Sequence, residues 1–290
     1  MWLCVIQVID MKKTQRQKKV FIGVTIFVII GLAILVLMFG KSEKVEVQNL
    51  PGIDNEVSSE ATSTVKMFQY ISIRNGCDWN GVGTCVNMRS GAGTQYPVVM
   101  QLRNGVVLKV KDSVEIEGLT WYRISFSTWL RYPERVKGDV YVAGTESVEL
   151  FTDVGDQEVS RVNASSTKRI VVDISEQMVY AFDGDSIFMK EPASTGLKDT
   201  PTPRGTFFIF RKTPSRYMQG PIPEVSDQYY DLPGVPWDLY FTQGGAVIHG
   251  AYWHDQFSKP WSHGCVNLPV ATAKKLYQWA DVGIPVIVQN

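Results

Sequence analysis

Residues 249–268 read His249-Gly250-Ala251-Tyr252-Trp253-His254-Asp255-Gln256-Phe257-Ser258-Lys259-Pro260-Trp261-Ser262-His263-Gly264-Cys265-Val266-Asn267-Leu268. The stretch contains all 3 histidines of the chain and one of its 4 cysteines. A thiol is a useful nucleophile only as thiolate, so it needs a base or cation nearby. Histidine suits that task because its unperturbed pKa lies near 6.5. His249 closes the apolar run Ala246-Val247-Ile248, a strand whose end projects a side chain at a fixed position. A backbone carbonyl near Gly250 would hold the second ring nitrogen and set the tautomer. Ser262-His263-Gly264-Cys265 predicts a tight turn before a helix. Its glycine allows close backbone approach, and the N–H groups of Gly264 and Cys265 are candidates to line an oxyanion hole. Three plainer readings compete. A lone cysteine is usually a small hydrophobe, yet the neighbours of Cys265 are Ser, His, Gly and Asn. A histidine at a strand end is often only hydrogen-bonded structure, which suits His254 better than His249. A zinc site made of His249, His254, His263 and Cys265 matches none of the common ligand spacings.

Working outward, Ala273, Leu276, Tyr277 and Ala280 recur at helical spacing and predict a helix over 269–282, with Pro269 in its first turn and Gly283 as its stop. A last strand follows at Ile284–Val288. Upstream, strands are expected at Arg169–Ile174, Met178–Phe182, Ser186–Met189, Gly205–Phe210 and Ala246–His249, with Asp183-Gly184 as a hairpin turn. Residues 211–245, rich in Pro, Gly, Tyr and Trp, read as a long loop beside the site, a candidate lid or a packed surface excursion. Residues 151–167 are polar and turn-rich and read as a joint. Between 70 and 150 the pattern is of short strands separated by Gly, Asn and Asp turns, which suggests a small barrel.

The amino-terminal part has a different character. Residues 12–19 carry Lys12, Lys13, Arg16, Lys18 and Lys19, and Val20–Phe39 is uncharged and apolar. A helix of that length rises about 30 Å, the thickness of a bilayer core. A signal peptide is the competing reading, but the run ends Leu-Met-Phe-Gly-Lys-Ser-Glu, a poor cleavage site. The expectation is an uncleaved single-pass anchor with residues 1–19 in the cytoplasm and the remainder outside. Met11, followed by Lys12-Lys13, is an alternative start. Residues 40–69 are polar and read as a stalk.

Composition narrows the partners. Lys plus Arg total 29, Asp plus Glu total 29, and no long basic stripe occurs, so nucleic-acid binding has no electrostatic support. Four cysteines are too few for a disulfide scaffold. Cys4 precedes the apolar run. Cys77 and Cys85 stand where they could close a small loop, which leaves Cys265 as an unpaired thiol.

Two resemblances attach to these residues. Cys85-Val86-Asn87-Met88-Arg89-Ser90-Gly91-Ala92-Gly93-Thr94, then Tyr96-Pro97-Val98, Leu102-Arg103-Asn104-Gly105 and Trp121-Tyr122-Arg123-Ile124, resemble a bacterial SH3-like domain. Such domains usually bind cell-wall peptides or glycans, though a spacer that binds nothing is an equal reading. His249-Gly250, a short loop, and Ser262-His263-Gly264-Cys265-Val266-Asn267-Leu268 resemble the signature of the L,D-transpeptidase (YkuD-like) catalytic domain, as do Ser194-Thr195-Gly196 and Thr200–Phe207 upstream. The resemblance covers roughly 168–289. It implies a mainly β chain: an SH3-like β-barrel over 70–150, then a β-sandwich with one main helix. It also implies Cys265 as nucleophile, His249 as base and His263 at the oxyanion hole. Ser262, Gly264 and Gly250 would orient the site, and Tyr252, Trp253 and Asn267 would meet the substrate. No cofactor or metal is expected. The implied substrate is a peptidoglycan stem tetrapeptide. Cys265 would attack the carbonyl between residue three and D-Ala, and a second stem would resolve the acyl-enzyme as a 3→3 cross-link. Water as acceptor would make an L,D-carboxypeptidase, and a wall-binding protein with an idle catalytic domain is the alternative outside enzymology.

Overall fold

The computed structural model describes residues 65–126 and 130–290. The expected cytoplasmic segment 1–19, the membrane span 20–39 and residues 40–64 of the stalk lie outside the described residues. Among the described residues no helix is long and apolar enough to cross a membrane.

The first domain is built from β1 (Phe68–Ile73), β2 (Val86–Arg89), β3 (Val98–Leu102), β4 (Val107–Ile116), β5 (Leu119–Ile124), β6 (Tyr141–Ala143) and β7 (Val148–Asp153). They form one seven-stranded sheet in the order β3-β2-β6-β5-β4-β1-β7. Side chains on a strand alternate between faces. Ile71, Ile73, Met88, Leu102, Leu108, Val110, Ile124 and Val142 accordingly gather into one buried cluster. Cys77 and Cys85 are joined by a disulfide. Closing so short a loop removes conformational entropy from the unfolded chain worth about 2.5 kcal/mol.

The second domain has two five-stranded sheets. One contains β9 (Lys168–Asp173), β10 (Met178–Asp183), β11 (Ser186–Pro192), β12 (Gly205–Phe208) and β17 (Pro285–Gln289), in the order β11-β10-β9-β17-β12. The other contains β8 (Gln157–Glu158), β13 (Arg211–Gln219), β14 (Asp231–Tyr240), β15 (Val247–Gly250) and β16 (Val266–Leu268), in the order β16-β15-β14-β13-β8. Helix α1 spans Val270–Trp279. Ile170 and Val172, Val179 and Ala181, and Val286 and Val288 are the alternate residues of their strands. They meet Leu239, Ile248, Val266, Leu268 and the helix residues Ala273, Leu276 and Tyr277 in one core. The molecule is mainly β with one main helix, as expected.

Three expectations need correction. Most of 211–245 is not a loop: β13 and β14 form a long antiparallel hairpin, and only the connection at 220–230 is a tip. Pro214, Pro233, Gly234 and Pro236 argue against strand. The pairing tolerates them because its register shifts between Arg216 and Met218 and Gly234 takes a positive φ of 62°. Both faces of β14 are covered, so it has no polar alternation to read: every residue from Pro233 to Tyr240 is buried. Second, the joint at 151–167 carries strand. Residues 151–153 finish β7 against β1, and β8 pairs with β13. Third, the helix stops at Trp279 rather than 282. Lys212 on β13 ends it: its buried ammonium donates to the carbonyls of Tyr277 (2.8 Å) and Ala280 (2.7 Å), supplying partners that the last turn lacks.

The two domains share their cores. Tyr70 and Val107 of the first belong to the cluster of the second, while Val235 and Tyr252 of the second belong to the cluster of the first. Gly234 lies against the carbonyl of Val107 so closely that a Cβ would collide with it. Ser215 donates its hydroxyl to the same carbonyl. Lys212→Met, which strips two helix carbonyls of a charged donor, is expected to lower unfolding free energy by about 2–3 kcal/mol. Urea denaturation of variant and parent checks this.

Candidate active site

The pairing of β15 with β16 is parallel, with Ile248 opposite Val266, His249 opposite Asn267 and Gly250 opposite Leu268. Cys265 immediately precedes β16, two positions before Asn267, and period-two alternation gives it the face of His249. Cys265 and His249 thus occupy diagonal positions on adjacent strands.

His249 is 0% exposed, and its Nδ1 lies 3.1 Å from the carbonyl oxygen of Gly250. A carbonyl only accepts, so Nδ1 carries the proton and Nε2 keeps its lone pair. Nε2 is buried without a hydrogen-bond partner among the described residues. Burial pushes the His249 pKa down to about 3, and the Arg216 and His254 charges add to that against the carbonyl of Gly250. Burial likewise pushes the Cys265 thiol up, while Arg216 and the N–H of Val247 pull it down. The sulfur is half-buried and 3.9 Å from the carbonyl oxygen of Gly245. Both shifts favour the uncharged forms, thiol and imidazole.

The turn that carries Cys265 is tied from several sides. Ser262 Oγ donates to the carbonyl of Cys265 at 2.6 Å and accepts the N–H of Gly264 at 3.1 Å. Thr202 Oγ1 donates to the same carbonyl at 3.3 Å and accepts the N–H of Gly196 at 2.9 Å. Gly264 has a φ of 114°, where other side chains are strained. Its N–H is engaged by Ser262, so the oxyanion role expected of it falls to other donors and its contribution is conformational. The upstream run Ser194-Thr195-Gly196 lies alongside: the carbonyl of Thr195 accepts from Trp261 (2.9 Å) and Ser262 (3.0 Å). A Cβ at Gly196 would collide with the carbonyl of Thr200. Gln177 holds Thr195 in place, accepting its N–H at 2.8 Å and donating to its hydroxyl at 2.7 Å. The sequence offered only a turn at Gln177, because nothing local marks a side chain that acts across the sheet.

The other predicted residues separate. His263 is half-buried, its ring near-parallel to that of Tyr230 with centroids 6.5 Å apart. Trp253 is half-buried with its ring 5.6 Å from that of His249. Tyr252 and Asn267 are not placed for substrate contact. Tyr252 is 7% exposed and its hydroxyl donates to the carbonyl of Pro233 at 2.7 Å. Asn267 is 2% exposed, its amide 2.8 Å from Nε2 of His254. The resemblance assigned both to substrate contact; in the structure one fills the domain boundary and the other staples the 251–265 crossover. His254 accepts the N–H of Gln256 on Nδ1 at 3.0 Å, and burial pushes its pKa down to about 4. The four side chains of the zinc reading are thereby engaged in separate contacts. Among the described residues no group of three or more His, Cys, Asp or Glu is arranged to hold a metal ion.

Arg216 and Asp238 both lie inside the stretch read as a loop, and the charges of both act on the Cys265 thiol, Arg216 lowering and Asp238 raising its pKa. Asp238 is fully buried, and neither carboxylate oxygen has a hydrogen-bond partner among the described residues. Burial pushes its pKa well above the usual range, opposed by Arg216 and Arg211. Arg216 sets its guanidinium 5.2 Å from the Tyr240 ring.

Both domains have matches among known proteins. Residues 167–288 match the L,D-transpeptidase catalytic domain. Residues 84–144 match the bacterial SH3 domain. "Probable L,D-transpeptidase 3" of Mycobacterium tuberculosis is 34% identical over 104 residues, 34% of this chain and 38% of that protein. The chain thus matches well under half the length of this curated relative. Among solved structures, an L,D-transpeptidase from Mycobacterium smegmatis aligns over 62% of this chain and 99% of its own, at 24% identity and TM-score 0.41. The Enterococcus faecium L,D-transpeptidase C442S mutant aligns over 42% and 49%, at 24% identity and TM-score 0.39.

The His249 pKa gives a signed expectation. Its folded value lies below its unfolded value, so the unfolded chain takes the proton first as pH falls. Stability is therefore lost between about 6.5 and about 3. At pH 4.5 the loss from this group is roughly 2–3 kcal/mol. Asp238 works in the opposite sense, since its raised pKa favours the folded state at low pH. Urea unfolding of His249→Gln and parent at pH 7.5 and 4.5 isolates the histidine: the variant loses less stability on acidification, by that amount.

Proposed function

We propose that the chain is a membrane-anchored, cysteine-dependent L,D-transpeptidase that forms 3→3 cross-links between peptidoglycan stem peptides. The observation that carries the reading is the pair His249–Cys265. A buried imidazole has its tautomer set by Gly250 and its Nε2 unengaged, one strand away from the free thiol on a glycine turn. The match of 167–288 to the catalytic domain supports the substrate class.

In this mechanism the carbonyl carbon between stem residue three and D-Ala approaches Cys265. Sulfur attacks, and the thiol proton passes to His249 Nε2. The desolvated, low-pKa histidine does not hold a proton in the resting state, so attack and proton transfer are coupled. The carbonyl oxygen becomes an oxyanion; the backbone N–H of Cys265 and His263 are the candidate donors. The tetrahedral adduct collapses, the C–N bond breaks, and D-Ala leaves with the proton returned by His249. A thioester remains. The side-chain amine of a second stem attacks it, gives a proton to His249, and displaces Cys265 as thiol, leaving a new amide. Residues 20–39 would anchor the chain with the catalytic domain facing the wall. The Cys77–Cys85 disulfide supports an oxidising compartment for it.

Mass spectrometry of purified tetrapeptide muropeptides incubated with the protein tests the reading. Loss of D-Ala with a new dimer is expected, and Cys265→Ala should show neither. Loss of D-Ala without dimer would favour the carboxypeptidase, and activity retained in Cys265→Ala would sink the mechanism. The neutral resting pair makes a further expectation. The rate of Cys265 alkylation by iodoacetamide, followed by peptide mass spectrometry, should still be climbing at pH 9. A plateau below pH 7 would mean a preformed thiolate–imidazolium pair instead.

A further inference from the structure

The hairpin tip at 220–230 does not stand free over the Cys265 turn. Beyond β5 of the SH3-like domain, a short 3₁₀ turn, Pro133–Arg135, reaches it. Tyr132 and Gln219 bond reciprocally: the N–H of Tyr132 donates to Gln219 Oε1 at 2.9 Å, and Gln219 Nε2 returns a bond to the carbonyl of Tyr132 at 3.2 Å. The Tyr132 hydroxyl donates to the carbonyl of Pro221 at 2.6 Å. Arg135 Nη1 donates to the carbonyl of Gly220 at 2.7 Å, and its guanidinium sits between the rings of Tyr132 (3.9 Å) and Tyr229 (4.5 Å). Gly220 in turn carries Tyr230: its N–H donates to the carbonyl of Tyr230 at 2.8 Å, and the ring of Tyr230 lies where a Cβ of Gly220 would be. The Tyr230 ring stacks on His263, two residues before Cys265.

From this chain of contacts we infer that Tyr132 and Arg135 are positioning residues for the active site, acting through Gly220 and Tyr230 to fix the wall of the cleft above His263 and Cys265. The SH3-like domain is then a structural part of the site, independent of any wall ligand it binds. A bond to a backbone carbonyl suits this role because the first four residues of the tip, Gly220, Pro221, Ile222 and Pro223, have no polar side chain. Arg135 answers with a charge-assisted donor and contacts to two tyrosine rings. The consequence for turnover rests on the transpeptidase reading. Tyr132 and Arg135 touch no reacting atom, so loosening the tip should weaken substrate binding while leaving the Cys265–His249 chemistry in place.

The test is hydrogen exchange of the full chain, read by mass spectrometry at residues 219–231, in parent, Tyr132→Phe, Arg135→Met and Arg135→Lys. The expected result is exchange at the tip about tenfold faster in Tyr132→Phe and Arg135→Met. Exchange at 168–183 should be unchanged, and Arg135→Lys should recover part of the protection. With stem tetrapeptide as substrate, KM should rise several-fold while kcat stays near the parent value. Unchanged exchange at the tip overturns the inference, as does exchange that rises equally at 168–183, which would mean general destabilisation. A fall in kcat at constant KM also overturns it. The exchange readout needs no turnover. A loosened tip in a chain that shows no D-Ala release would sustain the positioning role while counting against the proposed reaction.

Discussion

Parallel pairing of β15 and β16 is the constraint on which the site depends. Two parallel strands cannot be joined by a tight hairpin; the chain must leave one end and return to the other by a crossover. Residues 251–265 make that return, and the crossover explains why His249 and Cys265 sit far apart in sequence yet on one face. It also explains the loop's composition. His254 and Asn267 clasp the crossover to β16, and the Ser194 hydroxyl bonds the carbonyl of Gln256. Ser262 and Thr202 fix the final turn through one shared acceptor, the carbonyl of Cys265. Polar residues that look catalytic by their clustering are mostly engaged in holding the return path. Among the described residues, His249 keeps a buried ring nitrogen, Nε2, without a hydrogen-bond partner.

A second constraint comes from the sheet interior. Strand β14 is buried over most of its length, and its side chains join both the second-domain core (Trp237, Leu239) and the first-domain core (Val235). Coverage on both faces needs close approach, and glycine supplies it at Gly234 against Val107 and at Gly105 against Val270. The arrangement differs from two modules on a flexible joint. Phe151 of β7 packs its ring 5.6 Å from both Tyr70 and Trp237, so one aromatic stack runs from the first domain into the second.

Legibility in the sequence followed the range of the interactions. Strands β9, β10 and β17 alternate over one buried face, and their positions could be read directly. The helix face Ala273, Leu276 and Tyr277 was visible for the same reason, whereas its end was not, since Lys212 terminates it from a distant strand. His249, Ser262, His263 and Cys265 were legible because a thiol among imidazoles on a glycine turn has few plain explanations. The hairpin β13–β14 was missed because prolines and a glycine, ordinarily breakers, lie inside strands that tertiary packing sustains. With it went Arg216, Asp238 and Tyr230, none of which has a local signal. Tyr252 and Asn267, expected at the substrate from the resemblance, are buried and hydrogen-bonded within the fold, which no local signal showed.

The electrostatics of the site follow from where that hairpin runs. Asp238 is fully buried, and burial without hydrogen bonds disfavours its charged carboxylate. If Asp238 stays protonated, the Arg216 charge is not cancelled locally and acts on its surroundings. It holds the His249 pKa down and pulls the Cys265 pKa down against burial. A cation placed this way favours the thiolate and disfavours the imidazolium at once. It thus opposes the proton transfer on one partner while promoting it on the other, and the balance settles as a neutral pair. Among the described residues Arg216, which carries no local signal in the sequence, is the one cation whose charge acts on both His249 and Cys265.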